Sequence, residues 1–217
     1  SVVLYLPFGR AGALALAVPL NKWPLITRLM AAWLVMAVVF YSGGAFLLQQ
    51  ALPLVQWIAN SLSDNYTAQL SLGSSEQGAI IQIAATVSRN IYYATLPIAP
   101  KGAVLTGAGT LVHTLTPLVI LFSLLIAWPC PWRVLALRLV IGALLGLLII
   151  LGTLPFLLIS HIEGTLHAAV QQFLPNPVPM PKVFYWVMFV EMGGLWLLPI
   201  LAAMGSIALT QRLVLKR

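Results

Sequence analysis

The sequence predicts an all-α integral membrane protein with four transmembrane helices and a small extracytoplasmic β-rich segment. Three observations carry this expectation. Of the 217 residues, 61% are hydrophobic and only 7% charged, against about 25% charged in an ordinary soluble domain. So few charges cannot cover a surface that faces water, whereas a surface facing lipid needs none. Mean hydropathy is strongly positive. The basic residues fall in short groups beside apolar stretches, which is the pattern of membrane orientation.

A spanning helix needs about 20 mostly apolar residues. Four stretches qualify: 29–48, 104–128, 139–159 and 183–209. The organisation that follows begins with an N-terminal cytoplasmic or interfacial segment over 1–28. Its apolar part is broken by Pro7, Arg10 and Pro19, which does not read as a signal peptide, and Lys22, Trp23 and Arg28 would anchor it at the headgroups. The first transmembrane helix and an amphipathic extension occupy 29–62, and a β-rich outer loop occupies 63–103. The second helix takes 104–128, a cytoplasmic turn 129–138, and the third helix 139–160. A second outer loop over 161–182 leads to the fourth helix, 183–210, and a basic tail, 211–217.

Orientation follows from charge. Arg10, Lys22, Arg28, Arg133, Arg138, Arg212, Lys216 and Arg217 fall on one side of a four-span chain. Arg89, Lys101 and Lys182 fall on the other, together with Asp64, Glu76 and Glu163. The more basic side is the cytoplasmic one, which places both termini in the cytoplasm of a cell with, as expected here, a bacterial inner membrane. The net charge of +7 is spread along the chain and does not form a nucleic-acid groove. The expected partners are membrane lipids and other integral membrane subunits, with no nucleic acid and no cofactor.

The outer segment has a different period. Tyr66, Ala68, Leu70 and Leu72 alternate with Thr67, Gln69 and Ser71, 73–78 reads as a turn, and 79–87 and 91–98 are strand-like. Two or three short antiparallel strands fit, and they are too small to stand alone. In the second outer loop, 161–173 reads as a short amphipathic helix. Pro175, Pro177, Pro179 and Pro181 then make a stiff, extended return to the last helix.

Few residues carry candidate chemistry. Glu191 is an acid inside an apolar helix, which is costly in hydrocarbon and therefore a functional candidate. It lies about 12 Å below the outer end of the fourth helix, and His113 about 13 Å into the second, at 1.5 Å per residue. Tyr41, Ser42 and Thr153 fall at similar depth, so all four helices would place a polar group in one layer, and Pro117 would disturb the carbonyl of His113. This layer fits either a structural hydrogen bond between helices or a ligand, metal or proton site. His161, Glu163 and His167 form a second cluster, readable as a solvated interfacial face or, with a further ligand, as a copper or zinc site. Gly142 and Gly146 make a G-x-x-x-G step, and Gly193 and Gly194 a second small pair, both suited to close helix packing. Cys130, the single cysteine, sits in a Pro-Cys-Pro turn, which excludes an internal disulfide. No Gly-rich phosphate loop, carboxylate pair or Ser-His-Asp set is present.

The residues 90–97, the Trp132-Arg133 turn, 194–199 and the terminal Gln211-Arg212 give a layout that resembles the small membrane proteins encoded beside exosortases, over residues 29–217. The resemblance implies an accessory role beside a membrane enzyme. Exosortases use an outer-face cysteine with arginine and histidine, whereas Cys130 is expected on the cytoplasmic side, so the chain does not resemble the enzyme. The leading expectation is a non-catalytic subunit or accessory factor of a larger membrane complex. The alternative is a transporter-like or ligand-binding protein using the Glu191–His113 layer.

Overall fold

The computed structural model describes residues 22–75, 78–93, 96–172 and 179–215. Most of the interfacial segment expected at the N-terminus therefore lies outside the described residues. What is described is mainly helical, with a small sheet packed on one end of the helices.

Helix α1 (Lys22–Ser61) has 40 residues and is about 60 Å long. It does not stop near residue 48. Phe40, Leu48, Ala51, Val55 and Ala59 form one buried stripe at helical spacing, so the amphipathic extension continues the same rod. Pro53 is tolerated inside it because Pro53 and its surroundings on that side are exposed. The carbonyl left without an intrahelical donor can then be solvated.

The segment between α1 and the next helix forms β1 (Tyr66–Ser75), β2 (Gly78–Val87), β3 (Ile91–Tyr93), β4 (Leu96–Ala99) and β5 (Val104–Thr110). Strands β1, β2 and β5 make an antiparallel sheet in that order, and β3 pairs with β4 in a separate hairpin. The expected alternation is present. Tyr66, Ala68, Ile81, Ile83, Ala85 and Val87 are buried on one face, while Thr67, Gln69, Gln82 and Thr86 face outward.

Residues 104–110 differ from expectation. The apolar pattern predicts the start of the second helix there, but these residues form β5, which alternates exposed and half-buried positions. A sheet of two strands would leave one side of β2 unpaired, and β5 fills that side from Ile80↔Thr110 to Thr86↔Val104. Its inward positions are Leu105, Gly107 and Gly109, and the two glycines lie directly on the next long helix. A Cβ at Gly107 would stand 2.9 Å from Cβ of His161, and one at Gly109 3.3 Å from Leu157.

Helix α2 (Leu111–Ala127) follows β5 with no loop and has 17 residues, or about 25 Å. Helix α3 (Trp132–Gln171) has 40 residues. It absorbs most of the expected cytoplasmic turn, the third apolar stretch and the short amphipathic helix expected after it. The last rod is compound: α4 (Lys182–Phe189), a π turn (Val190–Gly194) and α5 (Leu195–Leu215). Among the described residues three helices are long and apolar enough to cross a membrane, over Leu25–Ser61, Trp132–Gln171 and Lys182–Leu213, and α2 is a shorter apolar helix. Their length and composition suggest a membrane location.

Small residues set the helix spacing. Gly142 and Gly146 receive Leu125 and Leu118 of α2, with a Cβ at Gly146 falling 2.8 Å from Leu118 Cδ2. Gly44 on α1 receives Leu115 in the same way. Buried hydroxyls fold back on their own helices: Ser123 to the Val119 carbonyl at 2.5 Å, Thr153 to Ile149 at 2.7 Å, and Thr210 to Ser206 at 2.9 Å. A hydroxyl bonded in this way adds no unsatisfied group to an apolar interior.

The sheet is fixed to α1 chiefly through the amide of Asn60. Asn60 accepts from the Ala68 N–H at 2.6 Å and donates to the Ala68 carbonyl at 3.3 Å, on the side of β1 that faces away from β2. Replacing Asn60 with leucine would strand both backbone groups, at a cost of about 1–3 kcal/mol. The expected result is a lower melting temperature in mild detergent and faster amide exchange at Ala68. An unchanged melt and unchanged exchange would show that the edge does not depend on this side chain.

Candidate functional site

The residue singled out by its cost, Glu191, lies in the π turn. A π turn carries about one extra residue relative to an α-helix, and here the backbone breaks at Gly193, with φ 154° and ψ −11°. That conformation disfavours any residue with a side chain. Gly194 is constrained differently, since a Cβ there would lie 3.0 Å from the Phe189 carbonyl oxygen. The two glycines thus serve the turn itself, and they are not a helix-packing pair as expected. The turn leaves Glu191 exposed, next to Met192 at 81% exposure.

The expected Glu191–His113 layer is not assembled. Because residues 104–110 are a strand, His113 falls in the first turn of α2 and not deep within a longer helix. Both side chains are exposed, and no hydrogen bond or ion pair joins them among the described residues. Tyr41 is exposed on α1, and Ser42 donates back to the Val38 carbonyl at 2.8 Å. Thr153 is buried and bonded within α3. Each polar group is therefore served by its own helix or left at the surface.

The cluster of His161, Glu163 and His167 is also arranged differently from expectation. Tyr66 donates its hydroxyl to Glu163 at 3.2 Å, tying β1 to α3 across the underside of the sheet. Burial pushes the Tyr66 phenol well above its ordinary value, and the Glu163 carboxylate adds to the shift. His161 is exposed beneath β5, and His167 is half-buried one turn beyond Glu163. No group of three or more His, Cys, Asp or Glu residues that could hold a metal occurs among the described residues. His161, Glu163 and His167 thus give no metal centre, and Glu163 is taken up by the tyrosine.

Arg138 was missed as anything beyond an orienting charge. It is buried, at 1% exposure, where α2, α3 and α5 meet. Its Nη1 donates to the Trp128 carbonyl at the C-terminal end of α2, at 3.2 Å, and Ser206 of α5 donates to the Arg138 carbonyl at 3.2 Å. A cation at that end also complements the partial negative charge of the helix terminus. Its Nε finds no partner among the described residues. The available clue was position: Arg138 is the seventh residue of a long apolar helix, with the six residues 132–137 of α3 before it.

An apolar groove of about 320 Å³ lies between α3 and the last rod, lined by Leu148, Gly152, Thr153, Trp186, Leu198 and Ala202 among others. Trp186 spans it, donating its indole N–H to the Gly152 carbonyl at 2.8 Å. The same ring packs against Phe156 and Phe189. The groove offers shape and apolar contact but no catalytic group. Cys130 is half-exposed in its proline turn. No family model, curated protein or solved structure matches the chain.

The Tyr66–Glu163 contact predicts an alkaline limit to stability. The phenol is raised in the folded state, so its contribution is fully present below the unfolded value of about 10 and is lost as pH rises through the folded value. Wild type should hold a constant melting temperature up to about pH 10 and fall above it, and Tyr66→Phe should fall less steeply in that range. Parallel curves for the two proteins would show that Tyr66 ionisation does not limit stability.

Proposed function

We propose that this chain is a non-catalytic integral membrane subunit, or accessory factor, of a larger membrane protein complex, with four spans and both ends in the cytoplasm. The observation that carries the reading is how little of the apolar helix surface the chain covers for itself. The most apolar 18-residue stretches of α1 and α3 are each 22% buried, and that of the last rod 33%. Trp33, Val38, Leu144, Leu148, Trp196 and Leu201 are among the large side chains left outside. Such a surface has to meet lipid or protein. On this reading α2 is the fourth span. At about 25 Å it is short, but a span enclosed by α1, α3 and α5 can be accommodated by modest thinning of the bilayer.

The grouping of basic residues supports the orientation, which leaves the sheet outside and the α2–α3 turn inside. Arg138 is buried between helices at that inner end, so among the described residues the orienting charge there comes from exposed Arg28, Arg133 and Arg212. The likeness in layout to the small proteins encoded beside exosortases supports a place beside a membrane enzyme. A bacterial inner membrane is the location this implies.

Two measurements test the reading. Cysteines introduced at Ser74 and Gln211 in a Cys130→Ser background should differ in intact cells, with an impermeant thiol reagent labelling Ser74→Cys alone. Labelling at Gln211→Cys would overturn the orientation. Purified in mild detergent from its native membrane, the chain should emerge in stoichiometric complex with another membrane protein. Elution as an isolated monomer would overturn the subunit reading.

A further inference from the structure

We infer that the π turn is a docking surface inside the bilayer for a spanning helix of another protein, and that this helix carries an arginine or lysine which Glu191 receives. The inference rests on the membrane-subunit reading and adds to it the place and chemistry of the contact. Glu191 lies nine residues from the start of α4, about 13 Å along the rod. It is bracketed by Val187, Met188, Phe189 and Val190 on one side and by Met192 and Leu195–Leu198 on the other. A glutamate side chain is too short to reach a headgroup from that depth, as a lysine or arginine stem can.

A carboxyl at such a position needs a hydrogen-bonding partner, because hydrocarbon supplies none. The chain supplies none among the described residues. This contrasts with the hydroxyls of Ser42, Ser123, Thr153 and Thr210, each bonded to a carbonyl of its own helix. A carboxylate cannot use that solution, since it has no proton to give to a carbonyl.

The irregular backbone points the same way. Glycine at 193 holds a conformation that other residues rarely adopt, and glycine at 194 admits the Phe189 carbonyl. Without the extra residue of the π turn, the face bearing Glu191 would be rotated by about 100° relative to α5. The turn thus fixes a carboxyl on the outer surface, beside Met188, Met192 and Trp196, which are 42%, 81% and 60% exposed. Flexible thioethers and an indole around one anionic acceptor suit a helix with apolar side chains and one cation. A second copy of this chain fits less well. Its exposed His113 is only two residues from the start of α2, about 3 Å along that helix, against about 13 Å for Glu191.

The test uses the full chain reconstituted in phosphatidylcholine vesicles with two synthetic probes. One is an apolar spanning peptide with a single central arginine; the other has leucine at that position. Energy transfer from a donor dye on the chain to an acceptor on the peptide reads association. The arginine peptide should associate roughly tenfold more tightly than the leucine peptide, the scale of one interhelical polar contact. Glu191→Leu should abolish the preference, while Glu191→Gln should weaken it. Equal association of both peptides with wild type overturns the inference. So does an undiminished preference in Glu191→Leu.

In the native membrane, a photo-cross-linking residue at Met192 should yield an adduct whose partner peptide maps to an apolar helix containing arginine or lysine. Reversing the charges, Glu191→Lys with an acidic residue in place of that cation, should restore an adduct lost in Glu191→Lys alone. An adduct within the same chain, or with a second copy, overturns the inference. Failure of the underlying membrane reading would look different, because the chain would then be extracted from native membranes by alkaline carbonate.

Discussion

The open edge of β1 is the constraint on which the arrangement depends. An edge strand needs partners for the backbone groups that its neighbour in the sheet does not take, and here α1 brings them. Asn60 meets both backbone groups of Ala68, and Gln56 reaches the Leu70 N–H at a longer 3.4 Å. To deliver those amides α1 has to run well past its apolar stretch, and it does so as one rod. Helix α3 overshoots in the same manner, placing Leu157, Leu158 and His161 under β5 and Glu163 under Tyr66. The sheet is thus held at opposite margins by two helices, and its apolar face closes onto their stripes. Ala51, Val55, Ala59, Ile81, Ile83, Leu158 and Ile162 belong to one continuous core.

How far the sequence could be read depended on which signal each residue carried. Tyr66, Ala68, Leu70 and Leu72 alternate cleanly with polar residues, so β1 was visible. Strand β5 was hidden because its inward positions include Gly107 and Gly109, and glycine contributes nothing to an alternation. Its threonines at 106 and 110 were outweighed by the apolar run that begins at Leu111. The helix ends differ from the expected ones: α2 begins at Leu111 and not at 104, and α3 runs on past 160 to Gln171. Polar residues such as Gln49, Gln50 and His161 look like boundaries, but the ends were decided by contacts with the sheet, which no local pattern contains.

The candidate site divides in the same way. An acid amid apolar residues marked Glu191 without any coordinates. Its direction was not legible, because a π turn changes the phase of a helix by a residue and only the glycine pair hinted at one. Arg138 shows the reverse error. Counting it as a surface charge was reasonable from spacing beside Arg133, yet its side chain ends in the join between α2, α3 and α5 and donates to a helix terminus. Counting charges cannot distinguish a guanidinium that faces water from one used as a cap.

The passage from β5 into α2 has a mechanical consequence. Thr110 closes the strand in extended geometry, and Leu111 begins the helix as the very next residue. A linker of several flexible residues would let the sheet rock while the helix stayed still. With none, and with β5 hydrogen-bonded along β2, a lateral pull on the sheet is transmitted as tilt at the head of α2. That tilt would press Leu115 and Leu118 against Gly44 and Gly146, two of the close seams between the rods. Sheet and bundle therefore behave as a lever with a short arm, and whatever engages the exposed strands also loads the packing of the helices beneath them.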